Sequence, residues 1–166
     1  MAKKKINKVP EKVGEELRKL GLTPEEAGWD CHGTYVLLHK ALEKVAASKG
    51  IKFDEPKIIN ADISAKEVVV LVTGHLGDKS EWSFGEAAPY NSKNTYPFAM
   101  AEKRAKDRVI LKLVGLHGDV YSEEEADEFQ EIIAKERGSN TVEQKDKTWQ
   151  EEVAESSDNK VVEIKS

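Results

Sequence analysis

Phe98, Ala101, Ala105, Val109, Leu113 and Leu116 recur at steps of three and four residues, and no other stretch constrains the fold as strongly. At 3.6 residues per turn these side chains share one stripe, so the pattern predicts a helix from about Thr95 to Leu116 packed against a core. Pro97 suits its first turn, and Gly118 lies just past its end. The stripe needs a flat partner, which the preceding sequence supplies. Lys57 to Ser64, Glu67 to His75 and Ser80 to Glu86 read as strands, rich in β-branched and aromatic residues. Gly77-Asp78-Lys79 joins the last two as a hairpin, and the unbroken Val68-Val69-Val70-Leu71-Val72 suits a central strand covered on one or both faces.

Shorter elements flank this unit. Val13, Leu17 and Leu20 make Glu11 to Leu20 an amphipathic helix that stops at Gly21. Thr23-Pro24-Glu25-Glu26 resembles a short helix start. Tyr35 to Ser48 reads as a helix with Tyr35, Leu38, Leu42 and Val45 in one stripe and Gly50 beyond it. Tyr121 to Glu136 reads as an acidic helix capped by Ser122 or a neighbour, and beyond Gly138 the mostly polar residues predict disorder. The expectation is an α+β fold: a β-β-β-α core with a three-stranded antiparallel sheet packed on helices, an acidic C-terminal helix and a disordered tail. Residues 1–10 form a mobile basic arm, 11–137 one domain and 138–166 the acidic tail.

Charge distribution narrows the function. The total is -5, but residues 122–166 carry six Lys or Arg against fourteen Asp or Glu, leaving 1–121 with twenty against seventeen. Lys93, Lys103, Arg104, Lys106, Arg108 and Lys112 lie within 93–112 against only Glu102 and Asp107. A local basic patch therefore survives an acidic total. Arg104, Arg108 and Lys112 are four residues apart, which stacks three like charges in a row that calls for a compensating anion or for solvation. One reading is a groove tracking a phosphodiester backbone, with Tyr90 and Tyr96 available for stacking; the other is an ordinary solvated helix face. Glu123-Glu124-Glu125 is read as stabilising a helix start rather than holding a cation.

Other chemistry lacks its signature. Neither GxGxxG nor GxxxxGK[ST] occurs, so no nucleotide cofactor is expected. His32, His39, His75 and His117 are scattered, no metal is expected, and Cys31 has no marked base beside it, so it reads as a small packing residue. A single cysteine, no apolar span and no leader-like start point to the cytoplasm and away from membranes.

The order helix, three-stranded meander, loop and long helix bearing Glu102-Lys103-Arg104-Ala105 and closing in Gly115 resembles the single-strand annealing superfamily. That superfamily includes the phage Erf, Redβ and Sak-type recombinases and the eukaryotic strand-annealing mediator. The resemblance covers roughly Gly33 to Gly118. It implies a non-catalytic protein that binds single-stranded DNA and assembles into rings or helical filaments, with a positively charged groove holding the strand. Lys103, Arg104 and Ala105 match the family's helix motif, Arg108 is displaced by one place, and Lys93 corresponds to a loop lysine. The implied DNA-binding set is Lys93, Lys103, Arg104, Arg108 and Lys112, and the implied partners include a host single-strand-binding protein or a phage exonuclease. A plain protein-interaction module and a small enzyme for a phosphorylated metabolite remain alternatives.

Overall fold

The computed structural model describes residues 8–126 apart from His32 and Asn94, all within the compact unit Met1–Glu128. Residues 1–7 of the basic arm, the rest of the acidic helix and the tail lie outside the described residues. The elements run α1 (Glu11–Lys19), α2 (Pro24–Ala27), β1 (Gly28–Cys31), β2 (Thr34–Leu37), α3 (His39–Lys49), β3 (Lys52–Phe53), β4 (Lys57–Asp62), β5 (Glu67–Leu76), β6 (Lys79–Ala87), α4 (Pro97–Leu113) and β7 (Tyr121–Ser122). The fold is α+β.

The expected meander forms as β4, β5 and β6, all antiparallel, with β5 in the centre. β3 joins the same edge of β5 as β4, pairing Lys52 with His75 and Phe53 with Gly74. A bulge at Ile58 to Asn60 interrupts β4. Along β5 the buried residues are Val68, Val70, Val72 and Gly74, so one face packs and the other stays partly open. On β6 the same alternation leaves Trp82 56% and Phe84 40% exposed, their rings edge to face at 5.4 Å.

The helix α4 lies across the packed face. Ala101, Ala105, Val109 and Leu113 meet Val68, Val70, Val72 and Ala87 in one cluster. The approach is close enough to require glycine on the strand, because a Cβ at Gly85 would overlap the Ala101 carbonyl. Ile110 and Leu111 face the other way, into a second cluster with Val13, Leu17, Tyr35, Leu37, Leu42 and Val45. A single stripe therefore understates this helix, which is sandwiched between two apolar layers. Phe98 does not join the stripe, being 37% exposed.

Two expectations need correction. Tyr35, Val36 and Leu37 are strand rather than helix, because β1 and β2 form a hairpin in which Cys31 pairs with Thr34 and Gly28 with Leu37. Gly33, at φ 92, makes its turn with help from Asp30, whose carboxylate accepts the Gly33 N–H at 3.1 Å. The sheet is also not alone: β7 pairs with β2 in parallel, giving a second sheet in the order β1-β2-β7. Residues 123–126 are helical, and Glu125 accepts the Ser122 N–H at 3.2 Å, as expected of a helix start capped at Ser122. Among the described residues no helix is long and apolar enough to cross a membrane.

Candidate nucleic-acid interface

The three cations spaced four apart on α4 do form a row, and the row is occupied. Arg104 donates through Nη1 to the Glu86 carbonyl at 2.6 Å, Arg108 through Nη1 to the Phe84 carbonyl at 2.8 Å, and Lys112 through Nζ to the Trp82 carbonyl at 2.8 Å. Four helical residues rise about 6 Å and two strand residues about 6.6 Å, so a helix running alongside a strand presents one cation to every second carbonyl. Those carbonyls line the edge of β6 that no described strand pairs. Cations at a strand edge satisfy backbone acceptors and discourage pairing with another chain. Lys112 also lies 5.6 Å from the centre of the Trp82 ring.

This arrangement corrects the expected role of Arg104. Only 3% of it is exposed, and its second nitrogen, Nη2, donates to the Asn91 carbonyl at 2.6 Å. A buried guanidinium cannot meet a strand lying on the surface. Arg104 instead braces the loop before α4, where Asn91 also accepts the Ala88 N–H at 2.8 Å. Arg108 is partly buried, and its Nε donates to Glu125 at 2.9 Å. Lys103 is exposed, with its Nζ 4.0 Å from Glu124.

Lys93 emerges from the braced loop into a hollow of about 130 Å³ that it shares with Lys66, Ser92, Thr95 and Pro97. Lys66 belongs to the turn between β4 and β5 and sits at φ 57, the only non-glycine residue at positive φ among those described. Holding a lysine there costs about 1–2 kcal/mol. Asp62 stabilises the turn by accepting Ser64 Oγ at 2.7 Å and the Ala65 N–H at 2.9 Å, which hold its carboxyl below the usual range. The hollow adjoins the start of α4, whose first turn holds no acidic residue and whose Tyr96 side chain does not cap it. A lining that includes two lysines, Ser92 and Thr95 beside the positive end of a helix suits an oxyanion.

A boundary adjoins it. A second hollow of about 100 Å³, which shares Ala87 and Ala88 with the first, is lined by Glu67, Glu86 and Tyr90. A polyanion would be attracted to the first and repelled by the second. Of the expected site residues, then, Lys93 is on the exposed cationic hollow, Lys103 is exposed on α4, and Arg104, Arg108 and Lys112 face the β6 edge. Lys66 escaped the sequence reading, since a lone lysine in a turn carries no pattern.

A further polar cluster joins α3 to α4. His39 Nδ1 lies 2.7 Å from Asp107, which is 0% exposed, and His39 Nε2 lies 3.5 Å from Glu43. The hydrogen bond to Asp107 holds the imidazole above its ordinary value against the effect of burial. Burial pushes the Asp107 carboxyl up, with His39 opposing. Among the described residues no group of three or more His, Cys, Asp or Glu is placed to hold a metal ion. No protein-family model, curated protein or solved structure matches the chain.

Proposed function

We propose that this chain binds single-stranded DNA without regard to sequence and anneals complementary strands in phage-type recombination and repair, without ATP and as a homo-oligomer. The observation that carries the reading is the hollow that Lys66 and Lys93 both line beside the start of α4. The order of helix, meander and long helix supports it, since it resembles the order of the annealing fold.

Nothing covalent is needed. Phosphates in the hollow would displace condensed counterions, and the bases would remain free to test a second strand. Two or three cationic contacts per protomer bind weakly. Assembly along a strand multiplies them, which is why a ring or filament belongs to the proposal. Arg104 contributes by positioning the loop that carries Lys93.

Titration of a labelled oligothymidine at about 50 mM salt tests the reading. The Lys66→Glu/Lys93→Glu double variant is expected to lose about tenfold or more in affinity, while Lys112→Gln changes it little. Binding should weaken steeply with salt, and the wild type should speed pairing of complementary oligonucleotides. No binding by the wild type, or equal binding by the double variant, overturns it.

A second reading has its own support. The cationic row faces the β6 edge while Trp82 and Phe84 remain exposed on an uncovered sheet face, which suits a non-catalytic module docking a protein. A wild type that ignores oligonucleotide yet associates through that face would favour it.

A further inference from the structure

The run Glu123-Glu124-Glu125 follows β7 and folds back against the two long helices. Each glutamate meets a different donor. Glu123 Oε2 accepts the backbone N–H of His39, the first residue of α3, at 3.4 Å. Glu124 Oε1 lies 4.0 Å from Lys103 Nζ, and Glu125 Oε1 accepts from Arg108 Nε at 2.9 Å. Glu125 Oε2 meanwhile accepts the Ser122 N–H at 3.2 Å, closing the turn that aims the run. Glu124 is mostly buried, and burial holds its carboxyl above the usual range, with Lys103 opposing. Two adjacent carboxylates, Glu124 and Glu125, thus stand on α4 cations that the phosphates of an extended strand would otherwise meet.

We infer that residues 122–126 are an autoinhibitory latch, in which Glu124 and Glu125 compete with DNA phosphates for Lys103 and Arg108. The inference rests on the proposed DNA binding and adds a regulation to it. The Lys66 and Lys93 hollow provides the first hold on a strand. Further contact along α4 requires the strand to displace the two glutamates, so binding strengthens only where a long polyanion is present. Short anions cannot make that exchange, since they occupy the hollow alone.

The test uses the full chain carrying Glu124→Gln/Glu125→Gln. Glutamine still accepts a hydrogen bond from Ser122, so the helix start survives. At about 50 mM salt this variant is expected to bind oligothymidine roughly threefold to tenfold more tightly. Its log affinity should fall more steeply with log salt, by about 0.7 for each cation released. A Glu11→Gln/Glu15→Gln control makes the same change in net charge on α1 and should show neither effect. Adding Lys103→Gln/Arg108→Gln to the latch variant should remove the gain. Unchanged or weaker binding by the latch variant overturns the inference, as does an equal gain in the α1 control. If wild type and latch variant both fail to bind while both melt normally, the proposed function falls as well. Wild-type binding that the latch variant merely equals removes the latch alone.

Discussion

Arg104 was drawn to notice by its place in a cationic row, yet its neighbours give it a different task. Both terminal nitrogens end on backbone carbonyls, one on β6 and one on the loop before α4. Its buried Nε finds no hydrogen-bond partner among the described residues. Arg104→Leu should therefore act first on stability, costing about 1.5–3 kcal/mol in chemical denaturation through lost charged hydrogen bonds. Any loss of oligonucleotide binding should follow the loosening of Lys93. Restoring the fold with an osmolyte should restore binding, whereas a direct phosphate ligand would not be rescued. The sequence revealed the spacing of this row but not its direction. Spacing places side chains on a helix; which neighbour they meet depends on how the helix lies on the sheet, and that is set by Gly85 and by residues distant in the chain.

Between elements, the junction of α3 and α4 carries a pH dependence. His39 gains a hydrogen bond to Asp107 on folding, and this raises its proton affinity. Its contribution to stability is therefore complete below the ordinary histidine value of about 6.5 and is lost as pH rises through the raised value. The upward displacement of Asp107 works in the same direction, since a carboxyl that holds its proton more tightly when folded loses stability as pH rises through its own range. Melting temperature should fall from about pH 6 towards pH 9, and His39→Gln should flatten that slope. An identical slope in the variant would assign the effect elsewhere. At this scale the meander was legible, because its β-branched and aromatic runs place β4, β5 and β6 within two residues of their observed ends. The β1–β2 hairpin was not. Tyr35, Leu38 and Leu42 mimic a helical stripe, while Thr34, Tyr35 and Val36 prefer extended backbone and find partners in Cys31, Asp30 and Trp29 across the turn, with Tyr121 on the other side of Val36.

Across the whole molecule, long-range charge opposes any polyanion. Residues 138–166 carry seven acidic against four basic side chains, within a total of -5. Removing them should tighten oligonucleotide binding at low salt by roughly twofold or more, with the difference fading as the screening length shrinks to about 8 Å near 0.15 M. Equal or weaker binding by the shortened chain would count against an electrostatic role. Composition made this visible at once, whereas the pairing of Lys66 with Lys93 was not visible, because two turns 27 residues apart become neighbours only when the meander closes. One last property follows from the ladder that Arg104, Arg108 and Lys112 make along β6. With those carbonyls engaged, a foreign strand can extend this sheet only on the side of β3 and β4. Growth of this sheet by strand addition would stop after a single partner, so an open-ended array of these protomers could not be a continuation of this one backbone seam.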